Sequence, residues 1–234
     1  MPATAERRTI TLELGGARVP AIGLFPVTNH AVPGVLLLHG YSSSKERLSS
    51  TMGKSLAARG IASLAIDLPL HGSRDDQIIE EARSNPFGLM QHWKMALAEA
   101  RDAIAWLGGQ RDIDSQRLAV AGYSLGSYIA LETAARDERV RAVIIAAGGD
   151  LPVTPWTGMV RMVTDPLKFV RQLSGRPLLM LHGKSDRTIP AQQAERLFEA
   201  ASEPRELRWY DSAHILPPAA ADDAATWLTR NFAK

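Results

Sequence analysis

Residues 117–136 read RLAVAGYSLGSYIALETAAR. The first five, RLAVA, carry apolar side chains on both strand faces, as a strand covered on both sides does. GYSLG at 122–126 follows without a spacer. From Leu125 to Arg136 the apolar and small residues recur at helical spacing. Strand, turn and helix thus succeed one another directly. In that setting a G-x-S-x-G string holds its serine on a sharp turn with the hydroxyl exposed, and glycines on either side let strand and helix approach closely. The start of the helix aims positive partial charge at a developing oxyanion.

The same alternation continues outward. Upstream lie the apolar runs 35–38 (VLLL) and 61–66 (IASLAI); downstream lie 140–146 (VRAVIIA), 177–181 (PLLML) and 206–210 (ELRWY). Each ends in a polar or glycine cluster: His39-Gly40, Asp67, Gly148-Gly149, His182-Gly183 and Asp211. Helical patterns fill 45–59, 89–107, 190–201 and 219–232. At the N-terminus, 9–14 and 18–25 alternate around Gly15-Gly16, which predicts an antiparallel hairpin. Strands alternating with helices predict an α/β fold: a mostly parallel sheet with helices on both faces. Chemistry belongs at the carboxyl ends of such strands. Two insertions interrupt the pattern. Residues 74–87 predict a short helix at 77–83. Residues 151–173 lie in a gap of 177 − 149 = 28 positions, room for one or two short helices. That is a short lid insertion and not a large cap domain. The whole chain, 1–234, is expected to form one domain.

Composition sets bounds on function. Hydrophobic residues make up 45% and charged residues 22% of 234, enough apolar surface to drive collapse. The absence of cysteine excludes disulfides and thiolate metal sites. The formal charge is +2 and the basic residues are scattered, which argues against nucleic-acid binding. The first residues, MPATAERRTITLEL, lack the apolar core of a secretion signal, and no run reaches the roughly 18 apolar residues of a membrane span. A cytoplasmic protein with no membrane contact is the expectation. No H-E-x-x-H string is present, and neither metal nor cofactor is expected. The sequence does not define the oligomeric state.

A serine hydroxyl needs a base, and the base needs an orienting group. The histidines are His30, His39, His71, His92, His182 and His214. In the chain order Ser…Asp…His the base follows Ser124, leaving His182 and His214. His214 lies in a loop after the last strand, from which a side chain can reach the serine. Asp150, Asp165, Asp186 and Asp211 lie between them. Asp186, just past the run 177–181, is the expected acid. Asp165, followed by Pro166, is expected to cap a helix. Two backbone N–H groups, of Leu125 and Tyr41, are the expected oxyanion donors. His39 is expected to shape the Tyr41 loop. His71, within 67–74 (DLPLHGSR), is read either as a pocket-rim residue or as one end of an Asp–His hydrogen bond that pins this loop, the latter favoured. Trp156, Met159 and Met162 either line an acyl pocket or pack as core.

These segments together — HGYSSSKE at 39–46, DLPLHGSR at 67–74, GYSLG at 122–126, LHGKSDRTIP at 181–190 and SAH at 212–214 — resemble the α/β-hydrolase superfamily nearly end to end. The likeness is nearest to small bacterial serine esterases of the dienelactone-hydrolase-like and prolyl-oligopeptidase-like branch. Dienelactone hydrolases carry cysteine where this chain has Ser124, and no HGGG string is present. The resemblance implies an eight-stranded sheet with its second strand antiparallel. It also implies hydrolysis of carboxylic esters, a small-molecule substrate, through Ser124, Asp186 and His214; the modest lid points to short- to medium-chain esters. A thioesterase, a small peptidase or amidase, and a non-catalytic ligand-binding homologue are the competing readings.

Overall fold

A computed structural model describes residues 4–74, 86–154 and 157–233. Strands β1 (Ala5–Leu14) and β2 (Ala17–Pro26) form the antiparallel hairpin, paired along their whole length from Ala5–Pro26 to Leu14–Ala17. Six further strands follow: β3 (Val32–Leu38), β4 (Ala62–Ile66), β5 (Ile113–Tyr123), β6 (Val140–Ala146), β7 (Leu178–Gly183) and β8 (Arg205–Tyr210). Their order in the single sheet is β1-β2-β4-β3-β5-β6-β7-β8. β2 meets β4 antiparallel, and every pair from β4 to β8 is parallel. This is the eight-stranded, mostly parallel sheet of an α/β-hydrolase fold.

The central strands are apolar on both faces because both faces are covered. Along β3, Leu36 and Leu38 enter one core, and Val35 and Leu37 enter the other. Helix α1 is continuous in three pieces, Lys45–Leu48, a π-helical turn Ser49–Gly53, and Lys54–Ala57. It shares the second core with α7 (Pro218–Phe232) through Leu48, Met52, Leu56, Ala224, Trp227 and Leu228. The first core is closed by α2 (Pro86–Gly108), α3 (Leu125–Arg136), α5 (Pro166–Arg171) and α6 (Ala191–Ala200), through residues such as Ile104, Ile129, Phe169 and Leu197. Each fully buried leucine or isoleucine contributes about 1.5–3 kcal/mol relative to exposure.

The π turn departs from the plain helix expected over 45–59. Ser50 Oγ and Thr51 Oγ1 both donate to the Arg47 carbonyl, at 3.0 and 2.8 Å. Hydroxyls that take a helical carbonyl loosen the regular i to i−4 ladder, which hydropathy spacing does not register. Within 151–173 stand two short helices, α4 (Thr157–Val163) and α5. Asp165 occupies the N-cap position of α5, yet its carboxylate makes no cap bond and takes Arg161 at 2.6 Å instead. The helix expected at 77–83 lies outside the described residues. Among the described residues no helix is long and apolar enough to cross a membrane.

Candidate active site

Ser124 stands between β5 and α3 with φ 51° and ψ −114°. Its N–H donates to the Ala146 carbonyl at 2.9 Å, and its own carbonyl accepts from Ser127 N–H at 2.9 Å. The turn is this tight because of its glycines. A Cβ on Gly122 would overlap the Gly126 carbonyl, and one on Gly126 would overlap the Leu38 carbonyl on β3. The strand–helix crossing therefore requires both glycines.

Two loops at the same sheet edge bring the partners. His214 Nε2 lies 2.9 Å from Ser124 Oγ, and His214 Nδ1 lies 2.7 Å from Asp186 Oδ2. Asp186 follows β7 and is buried. Its other oxygen, Oδ1, accepts from the N–H groups of Thr188 and Ile189 at 2.8 and 3.0 Å. With that oxygen occupied, Oδ2 faces the imidazole. The other candidate acids are engaged elsewhere. Asp150 takes Arg161 and Arg196, Asp165 takes Arg161, and the exposed Asp211 takes Lys184. His182, the other candidate base, is fully buried and donates from Nε2 to the Ile189 carbonyl at 2.9 Å. Burial lowers its pKa, and it braces the Asp186–Ile189 turn from below.

Tyr123 is a residue the sequence reading missed. Its hydroxyl donates to the His214 carbonyl at 2.5 Å and accepts from Leu216 N–H at 3.0 Å. Its ring meets the His214 ring edge-on at 6.0 Å. The neighbour of the serine thus holds the loop of the histidine. Burial raises the phenol's pKa, so the O–H remains a donor. The x position of G-x-S-x-G accepts many residues, so the motif carries no signal for this role.

The loop after β3 is set by buried polar groups. His39 Nδ1 donates to the Gly40 carbonyl at 2.8 Å, and Leu68 N–H donates to His39 Nε2 at 3.1 Å. Asp67 is pinned by Lys45 and Ser73: it accepts from Lys45 N–H (2.9 Å), Lys45 Nζ (2.7 Å), Ser73 N–H (3.0 Å) and Ser73 Oγ (2.7 Å). His71 is not the partner of Asp67. It is buried, its Nδ1 donates to the Pro69 carbonyl at 2.7 Å, and its ring stands edge-on to those of His39 and Tyr41. Among the described residues neither Tyr41 N–H nor Leu125 N–H donates to a protein acceptor.

Ser124 and His214 open into a cavity of about 440 Å³. Its walls are the loop Gly40–Ser43, the face of α1 carrying Arg47, Leu48, Thr51 and Met52, the strand ends at Tyr123, Ala146 and Leu181, and residues 214–218 with Ala220 and Ala221 leading into α7. Neither His71 nor Met162 belongs to this lining. His71 is enclosed behind Tyr41, and Met162, on α4, is 87% exposed. Trp156 and the Met159 side chain lie outside the described part. Among the described residues no group of three or more His, Asp or Glu is placed to hold a metal ion.

A backbone-strained serine, a histidine and a buried aspartate, joined in one hydrogen-bonded line at the carboxyl edge of this sheet, define an enzyme of the α/β-hydrolase class. The chain belongs to the alpha/beta hydrolase family, whose model matches residues 35–233. It is 28% identical to Esterase YjfP of Escherichia coli strain K12, over 92% of this chain and 96% of that protein. It is similar in structure to TT1662 from Thermus thermophilus, with a TM-score of 0.69 and 26% identity over 96% of this chain and 98% of that one. A dienelactone hydrolase from Anabaena variabilis shares the fold, with a TM-score of 0.73 and 21% identity over 97% of both chains.

Proposed function

We propose that the protein is a serine carboxylesterase acting on short- to medium-chain esters. The observation that carries this reading is the continuous line from Asp186 through His214 to Ser124 Oγ, at 2.7 and 2.9 Å. Similarity to a protein named as an esterase supports it. In the first half-reaction His214 Nε2 takes the proton of Ser124 as Oγ bonds to the ester carbonyl carbon. The N–H groups of Tyr41 and Leu125 receive the oxyanion. Collapse breaks the carbon–oxygen bond to the alcohol, which takes the proton from Nε2. In the second half-reaction water, deprotonated by His214, attacks the acyl carbon. The acid leaves and the proton returns to Ser124. Asp186 holds Nδ1–H throughout and so fixes the tautomer. The cavity of about 440 Å³ suits a compact ester better than a long acyl chain.

The test is hydrolysis of nitrophenyl esters from acetate to palmitate by the wild type and Ser124→Ala. Expected is a maximum at short chains and a loss of at least about 10⁴-fold in kcat in the variant. A Ser124→Ala protein that keeps the wild-type rate overturns the proposal.

A further inference from the structure

Arg47 is the one charged side chain in the described lining of the Ser124 cavity. The rest of that lining is apolar, hydroxylic or backbone, apart from His214 itself. Among the described residues the Arg47 guanidinium has no hydrogen-bond or ion-pair partner. Its neighbours behave differently: Lys45 is held by Asp67 and Glu46, and Arg74 by Glu99. A cation facing an apolar cavity without an acid is placed to meet one brought by a ligand.

Arg47 is exposed and stands at the rim of this cavity and of a second surface depression lined by Glu46 and Lys54. Arg47, Leu48, Thr51 and Met52 share one face of α1 and all line the cavity. The π turn at Ser49–Gly53 separates the first pair from the second. Such turns recur at functional sites. The hydroxyls that open the turn bond to the Arg47 carbonyl, so they fix its backbone and leave its side chain unengaged.

The same cavity is lined by His214, Ile215, Leu216, Pro217 and Pro218, together with the loop Gly40–Ser43. In ester cleavage Nε2 of His214 must protonate the departing oxygen, so the alcohol half of the substrate lies against His214. The leaving group therefore lies in the cavity that Arg47 also lines.

We propose that the enzyme selects esters whose alcohol portion carries a carboxylate, and that Arg47 is the specificity-determining residue that receives it. The inference rests on the esterase reading above. It deepens that reading by naming the substrate class. A planar guanidinium takes a carboxylate through two parallel N–H donors, which a lysine ammonium does not reproduce.

The experiment compares 4-acetoxybenzoate with methyl 4-acetoxybenzoate. These share the acetyl group and the aryl leaving oxygen and differ in charge at the far end. Each kcat/KM is divided by the ester's hydroxide-catalysed rate. The expected wild-type preference for the carboxylate is about tenfold, the size of one charge-assisted hydrogen bond. In Arg47→Gln the ratio falls to about one, and Arg47→Lys lies between. A wild-type ratio of one or less, or a ratio that Arg47→Gln leaves unchanged, overturns the proposal. If neither ester is hydrolysed the esterase reading itself has failed. Calorimetry with 4-hydroxybenzoate then decides the subsite separately: a binding heat that Arg47→Gln abolishes upholds it, and no heat with the wild type overturns it.

Discussion

A left-handed backbone at a residue with a side chain costs roughly 1–3 kcal/mol. Ser124 carries it, and Ala146 and Ser127 hold the turn from either side. His39 shows the same dependence of the site on its surroundings, through protonation. Its Nε2 accepts from Leu68 N–H and its Nδ1 donates to the Gly40 carbonyl, so only the neutral Nδ1–H tautomer fits. Burial, opposed in part by the Gly40 bond, brings its pKa down to about 4. In the unfolded chain the imidazole titrates near 6.5. Between those values the unfolded state binds the extra proton, so stability falls as pH drops from about 6.5 to about 4 and is complete above 6.5. The loss from this residue is at most about 3–4 kcal/mol. Urea midpoints at pH 7.5 and 4.5 check it: His39→Gln should be less stable at pH 7.5 but lose less between the two pH values than the wild type. Equal losses would place the acid sensitivity elsewhere.

At the scale of elements, the loop that offers the Tyr41 N–H is tied to the end of β4 by one carboxylate. Burial opposes the charge on Asp67, but hydrogen bonds from Lys45 and Ser73 outweigh it and keep its pKa below the usual range. The pair it forms with Lys45 is almost completely buried. Asp67→Asn removes the buried one of the two carboxylates that hold that ammonium and leaves it only the exposed Glu46, which costs about 3 kcal/mol, the low end for a broken buried pair. It also frees the start of α1 to move. The expected result is a lower Tm and a kcat reduced more than KM is changed, since the moved N–H is the one proposed to receive the oxyanion. An unchanged kcat in folded Asp67→Asn would show that Lys45 and Ser73 hold the loop without it. Little of this was legible in the sequence. Ser124, Asp186 and His214 each lie within five residues of the end of a strand-like run, so topology alone put them at one edge. Lys45 and Asp67 are 22 positions apart and Tyr123 and Leu216 are 93 apart. Such pairings depend on loop conformation, to which hydropathy is blind. The sequence reading accordingly gave Asp67 a histidine partner that the structure replaces with Lys45.

Across the whole molecule, the strand runs and their helical connections were readable because a doubly covered sheet writes unbroken apolar stretches into the chain. The cavity was not readable in that way. Residues of 151–173 were read either as its walls or as core. The described walls come from the loop after β3, from the strand ends, and from α1 and the start of α7, two ordinary core helices. Both belong to the second core, so the shape of the site depends on a layer that also stabilises the sheet. We expect the two layers to unfold together, because each central strand serves both. Leu36 and Leu37 are adjacent, both fully buried, and point into opposite cores. Truncating either to alanine should cost about 2–5 kcal/mol. Trp93, Trp106 and Trp209 pack against the first core and Trp227 within the second, so tryptophan fluorescence samples both. In urea, Leu36→Ala and Leu37→Ala should each shift the fluorescence and far-ultraviolet circular dichroism midpoints by the same amount, in a single transition. If Leu37→Ala separates the two curves, the α1–α7 layer opens on its own. The cavity beside Ser124 would then be lost before the sheet is.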